Sequence, residues 1–190
     1  CIARSGDQLC GHNTEGPAFR RLLEKHTRCE GLHVAVLGVG RMGRSIATEL
    51  ALAKAASLVF YCIDQQQPRQ YVEDVRRETP VGECRIEPWP SEGLLQLPDD
   101  CDLLVNATPI GRNDPTAEIP LDVSTLSSDA MVLDVVFNPP TTRLVRDARA
   151  QSLLVFDGLD LLVEQAAVAF EIWTGQQPDR NAMRDAVEEF

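Results

Sequence analysis

The sequence predicts an α/β fold, a doubly wound and mainly parallel sheet with helices on both faces. Three observations carry this expectation. Apolar runs of strand length alternate with helical patterns along most of the chain, as they do when a parallel sheet is covered on two sides. The first of these strands leads straight into Gly38-Val39-Gly40-Arg41-Met42-Gly43 and then a helix. The second strand is followed by a carboxylate, Asp64.

In chain order, residues 16–26 read as a helix ahead of the first strand. Residues 33–38 (HVAVLG) form that strand, and 42–54 form the helix that opens from the glycine turn. Residues 57–63 (SLVFYCI) are the second strand and 68–78 a crossover helix. Its leading Pro68 costs little, because the first N–H of a helix has no intrahelical partner. Strands follow at roughly 84–87, 102–106 and 131–136, then a helix over 141–150 and a strand over 152–156. A long apolar helix spans 159–173, followed by a turn at GQQPD (175–179) and a charged terminal helix. The chain thus divides into a bridging segment (1–30), a Rossmann-type dinucleotide-binding core (31–156) and carboxyl-terminal helices (157–190) that pack back toward a substrate cleft.

The 190 residues carry 18 Lys and Arg against 29 Asp and Glu, a formal net charge of −11. That balance argues against nucleic acid, whose binding rests on clustered cations. It leaves room for a single dinucleotide held by backbone N–H groups. No run of about 18 apolar residues is present, so no membrane span is expected. The six cysteines include no C-x-x-C pair and the chain has three histidines, so no metal site is expected. Reduced thiols point to a cytoplasmic protein. The opening residue is Cys1 rather than Met, as in a processed piece or a fragment of a longer product.

Glycines fall at G-x-G-x-x-G spacing by chance, but here a strand precedes them and a helix follows. In that setting Gly38 permits the tight turn, Gly40 admits a pyrophosphate to the backbone, and Gly43 lets helix and strand pack closely. The helix start, with Arg41 and Met42, adds unpaired N–H groups and the positive end of a dipole. Asp64 lies 21 positions after Gly43, near the offset at which an acid accepts hydrogen bonds from an adenosine ribose. The same carboxylate repels a 2′-phosphate. NAD is therefore favoured, with NADP as the alternative because Arg69 is close enough in sequence to meet a phosphate.

Four further blocks surround this turn in order: GHNTEGPAF (11–19), CDLLVNATPIG (101–111), VLDVVFNPPTTRLVRDA (132–148) and DGLDLLVEQAAVAFEIWTG (157–175). With them the chain resembles the shikimate dehydrogenase family over nearly its whole length, without that family's amino-terminal substrate domain. The resemblance implies an NAD(P)-dependent oxidoreductase of aromatic amino acid biosynthesis, acting on shikimate, 3-dehydroshikimate or quinate. It implies that Glu15, in Asn13-Thr14-Glu15, stands where the family carries a catalytic Asp paired with a lysine. The chain's own lysines, Lys25 and Lys54, match no such motif. Asn13, Gln165 and Phe137 become substrate-side residues, Gln165 by orienting a ring hydroxyl. Asn106, Ala107, Thr108 and Gly158 become cofactor-side residues. Phe137 replaces a common Tyr, and Asp160-Leu161 replaces a common Gly-Met, which would place a negative charge near the nicotinamide.

These features lead to the expectation of a shikimate dehydrogenase-like oxidoreductase, inactive as an isolated piece, with a homodimer as a candidate assembly. Quinate dehydrogenase is the alternative enzyme. A catalytically silent nucleotide- or metabolite-sensing module of the same fold is the alternative outside enzymes.

Overall fold

The computed structural model describes residues 1–188. Six parallel strands form the central sheet: β3 (His33–Leu37), β4 (Ser57–Cys62), β5 (Glu83–Pro88), β6 (Leu103–Asn106), β7 (Met131–Asp134) and β8 (Leu154–Phe156), ordered β5-β4-β3-β6-β7-β8. The order reverses between β3 and β6, which leaves a crevice at the carboxyl ends of those two strands. Register is set by alternation along each strand. Val34 and Val36 face one core and Ala35 and Leu37 the other, while Val34 pairs with both Leu58 and Leu103.

Helices cover the two faces unequally. On the first face, α1 (Glu15–Glu24), α2 (Arg41–Leu52), α3 (Arg69–Glu78) and α5 (Gly158–Thr174) bury Phe19, Leu23, Ile46, Leu50, Val75 and Leu161. On the second, α4 (Arg143–Ala150) supplies Leu144 and Ala148, and irregular chain supplies Leu95 and Val123. Prolines explain the irregular cover: Pro88, Pro90 and Pro98 interrupt any helix between β5 and β6. The last helix, α6 (Arg180–Glu188), has no buried residue. It is held by charge, since Arg180 reaches Glu164 and Glu171, and Arg184 reaches Asp160.

The expected elements are present with ends moved by one or two residues, and three short ones are added to them: a single 3-10 turn at Val123–Thr125 and two strands near the start. Residues ahead of α1 form a hairpin, β1 (Ile2–Ser5) and β2 (Gln8–Gly11), paired antiparallel apart from the main sheet. Gly6 takes φ +60 at the first central position of its two-residue turn, where a side chain would be strained. The indole N–H of Trp173, at the far end of α5, donates to the Ile2 carbonyl at 2.9 Å. No cysteine is paired. Cys29, Cys84 and Cys101 are buried, and burial pushes each thiol up to about 11, so they act as small apolar groups. No helix among the described residues is long and apolar enough to cross a membrane, and none of their His, Cys, Asp and Glu side chains cluster as metal ligands.

Candidate active site

The three glycines of the turn have three separate geometric reasons. Gly38 sits at φ +88, and a Cβ there would lie 3.0 Å from the Ala107 carbonyl oxygen. A Cβ on Gly43 would lie 2.3 Å from the Gly38 carbonyl oxygen, so the third glycine lets α2 close against its own turn. A Cβ on Gly40 would meet nothing within 4 Å. The space over Gly40 is empty of protein and faces the crevice. The first bond of α2 runs from the Arg44 N–H to the Gly40 carbonyl at 2.9 Å, which leaves the N–H groups of Arg41, Met42 and Gly43 without helical partners. Such a set fits an anionic bridge such as a dinucleotide pyrophosphate.

The loop after β6 closes the other side. Asn106 is fully buried. Its amide donates to Asp134 Oδ1 at 3.0 Å, and its own oxygen accepts from the Thr108 N–H and hydroxyl at 3.1 and 2.6 Å. Asp134 also accepts from the Val136 N–H and, at 2.7 Å, from the Thr142 hydroxyl. Burial pushes the Asp134 carboxyl up, and the hydrogen bonds from Thr142, Val136 and Asn106 oppose the shift. This fully partnered network fixes the turns after β6 and β7. Gly158 is equally constrained, because a Cβ there would lie 2.3 Å from the Val136 carbonyl.

Between these elements lies a cleft of about 410 Å³. It gathers Glu15, Gln165 and Phe137, expected on the substrate side, with Gly40, Arg41, Met42, Ala107, Thr108 and Gly158, expected on the cofactor side. Glu15 opens α1, with its N–H held by Asn13 Oδ1 at 3.0 Å. The Gln165 amide makes no hydrogen bond to another described residue and is free to meet a ligand. A carboxylate and an amide therefore face the glycine turn across one cavity, an arrangement suited to holding a polyol and moving a proton. Arg112 also lines the cleft, a residue that no sequence motif marks. Its one signal is position, directly after Gly111 in an acidic chain.

Other sequence candidates lie outside the lining. Asn13 is engaged with Ser45 of α2, donating at 2.8 Å and accepting at 3.1 Å, and so joins α1 to α2. Gly38, Gly43 and Asn106 shape the cleft from behind. Asp64 is exposed beyond the end of β4, its Oδ1 accepting from the N–H groups of Gln66 and Gln67 at 2.9 and 3.4 Å. Arg69 is exposed at the start of α3. Asp160 does not bring charge to the cleft. With Asp157 it forms the capping box of α5, accepting from the Asp157 N–H at 3.1 Å, and it pairs with Arg184. Lys25 binds Glu164 at 2.9 Å and Lys54 pairs with Glu30, so neither lysine faces Glu15.

A profile of the Shikimate 5'-dehydrogenase C-terminal domain matches residues 158–188. A curated shikimate dehydrogenase (NADP(+)) of Archaeoglobus fulgidus is 36% identical over 179 residues, covering 94% of this chain and 64% of the relative. The crystal structure of a ligand-free 5-ketofructose reductase of Gluconobacter sp. strain CHM43 superposes with a TM-score of 0.93 at 36% identity, over 100% of this chain and 67% of that one. The chain belongs to the shikimate dehydrogenase family. Shikimate 5-dehydrogenase from Thermus thermophilus, in complex with NADP(H) and shikimate, gives a TM-score of 0.79 at 30% identity, over 99% of this chain and 66% of that one. The likeness to the family thus covers both the glycine turn and the long helix carrying Gln165. The chain spans about 64% of the length of the first curated relatives it matches.

Proposed function

We propose that this chain is the cofactor-bearing part of a nicotinamide-dependent oxidoreductase that interconverts a hydroxyl and a ketone on a small polyol, with shikimate and 3-dehydroshikimate as the substrate pair. One observation supports it above the rest: Glu15 and Gln165 share a cleft with the open face of Gly40. The glycine turn and the N–H groups of α2 would hold the pyrophosphate, and the nicotinamide would supply the hydride chemistry. Gln165 would orient a substrate hydroxyl, and Glu15 would hold or pass the proton of the reacting oxygen. The resemblance implies a lysine partner for Glu15 from an amino-terminal substrate domain. On this reading the 190 residues alone turn over negligibly, because acid–base groups must be held within hydrogen-bond reach of a shared substrate.

NAD is the preferred dinucleotide on this reading. Asp64 stands beyond β4 with one oxygen committed to backbone N–H groups and the other available to a ribose, while its charge disfavours a 2′-phosphate. The curated relatives are named for NADP(+), so the order must be measured. Calorimetry should show tighter binding of NAD than NADP, and Asp64→Ala should narrow the ratio by about tenfold, the value of one charge-assisted hydrogen bond. Tighter NADP binding by the unaltered chain would remove Asp64 from this role.

A second reading is favoured by the superposition with 5-ketofructose reductase, namely reduction of a keto-sugar. Phe137 brings no phenol to the cleft, which suits a substrate chosen by shape rather than by a hydrogen bond at that point. Turnover of shikimate, quinate and 5-ketofructose by the full-length protein separates the two. In that protein Glu15→Gln should lower kcat by about 10²-fold or more, on the order expected of a general acid–base group, with cofactor affinity unchanged. Undiminished kcat would place the proton transfer elsewhere.

A further inference from the structure

The cleft carries two cations that the glycine turn does not require. Arg41 is the first residue of α2, and Arg112 follows the β6 loop; both line the cavity. Neither guanidinium makes an ion pair or a side-chain hydrogen bond with another described residue. Many other arginines, such as Arg21, Arg85, Arg143, Arg180 and Arg184, pair with carboxylates, and Arg44, Arg76 and Arg146 reach backbone carbonyls. Arg69, like Arg41 and Arg112 without such a partner among the described residues, lies outside the cleft lining. In a chain of formal net charge −11, two unmatched arginines in one cavity need an explanation.

Their elements are neighbours for a structural reason. β6 lies beside β3, and the Ala107 carbonyl would be 3.0 Å from a Cβ on Gly38, so the loop leading to Arg112 rests on the turn leading to Arg41. Gly111 seats the loop's far end, at φ +96, against Thr142, whose Cγ2 would be 2.8 Å from a Cβ there. Asp64 and Arg69 belong one strand farther out, on the β4 side.

We infer that Arg41 and Arg112 form a two-element clamp on the pyrophosphate of the dinucleotide. The inference rests on the dinucleotide reading above. A helix start supplies roughly half a charge, and each phosphate of the bridge carries a full negative one. The carboxylate of Glu15 lines the same cavity and opposes an entering anion. Two guanidinium forks offset both effects, because their planar N–H pairs match phosphate oxygens. As the contact is to the bridge, it is common to NAD and NADP and sets affinity without choosing between them.

The test measures dinucleotide dissociation constants by calorimetry for the purified chain, with NADH and NADPH as probes, at low and high salt. Met replaces Arg with a similar apolar stem, so Arg112→Met and Arg41→Met should keep the wild-type melting temperature. Each should weaken both dinucleotides by about five- to tenfold, keep their ratio unchanged, and flatten the dependence on salt. Arg112→Lys should recover part of the loss, since it restores charge without the fork. Loss confined to NADPH would assign the arginines to a 2′-phosphate and overturn the clamp. Unchanged constants in folded variants would overturn the clamp alone. Absence of binding by the unaltered chain would overturn the dinucleotide reading and the clamp together.

Discussion

Two glycines three positions apart should respond to alanine in opposite ways, although both belong to one motif. At Gly43 the added methyl would lie 2.3 Å from the Gly38 carbonyl oxygen and 3.3 Å from Ala107 Cβ. Ordinary contact is about 3.5–4.0 Å, so turn and helix must part by about 1.2 Å or more. Gly43 is buried, and the Gly38 oxygen is backbone in a turn that also abuts Ala107, so neither side yields cheaply. Overpacking of this kind costs about 1–3 kcal/mol, which for a chain of this size lowers Tm by roughly 3–10 °C. At Gly40 the backbone is extended, φ −73 and ψ −170, and the methyl would meet nothing. Gly40→Ala should therefore melt within about 1 °C of the unaltered chain, by the same conversion from free energy to Tm. On the proposed reading its methyl would stand where the pyrophosphate approaches, so dinucleotide affinity should fall by tenfold or more, the worth of about 1.4 kcal/mol. Melting followed by circular dichroism, paired with NADH calorimetry, reads both effects on each variant. Gly43→Ala melting with wild type, or Gly40→Ala melting several degrees low with affinity intact, would refute the division of roles.

Two further perturbations probe the network and the clasp around the cleft. Thr142→Val removes both the hydroxyl donor to buried Asp134 and the cap on the Val145 N–H, at a combined cost of about 2–4 kcal/mol. Burial already holds the Asp134 carboxyl above its usual range. A carboxyl so raised favours the fold below its unfolded pKa and loses that contribution as pH rises through its folded one. Losing the Thr142 donor raises it further, so the deficit measured by denaturant titration should grow from about pH 3, below the usual carboxylate range, toward neutrality; a flat deficit would contradict this. At α6, burial pushes the Glu164 carboxyl up, but hydrogen bonds from Arg180 and Lys25 more than offset it and hold the group below its ordinary value. Its contribution is present above the unfolded pKa and lost as pH falls through the folded one. Arg180→Ala should cost about 1–2 kcal/mol near neutral pH, given that Arg180 is about one-third exposed. That difference should shrink on acidification below about pH 4.5, the usual unfolded carboxylate range; a pH-independent difference would contradict the assignment.

Most of the sheet is legible in the sequence because its strands are apolar runs bounded by turn residues, the exception being the edge strand β5 (ECRIEP) with its alternating charges. The glycine turn is legible because each glycine answers a separate steric demand. The hairpin at the start is not. Its strands are four residues long, Ile2 and Leu9 stay exposed, and part of its support comes from Trp173, 171 residues away. Asp160 belongs near the cofactor if judged by its neighbours alone, yet the Asp-x-x-Asp spacing from Asp157 is a capping signal in plain view.

The amides divide by what holds them. By resemblance Asn13 and Asn106 are expected ligand contacts; in the structure their amides also bond Ser45, Asp134 and Thr108, contacts that fix where the loops stand. Among the described residues, the side-chain polar atoms of Gln165, Glu15, Arg41 and Arg112 have no such commitment. Sequence pattern reports residue type and spacing, whereas competition for a hydrogen-bond partner is settled by strands that approach one another from distant parts of the chain. The arginine after Gly111 shows the same limit from the other side. Nothing periodic marks an exposed loop residue, and its place opposite the glycine turn follows only from β6 pairing beside β3. A ligand can be recognised only by groups the fold has left unspent. Among the described residues lining this crevice those include the Glu15 carboxylate, the Gln165 and Asn138 amides and the Arg41 and Arg112 guanidinium groups, around a glycine whose open face would leave room for phosphate.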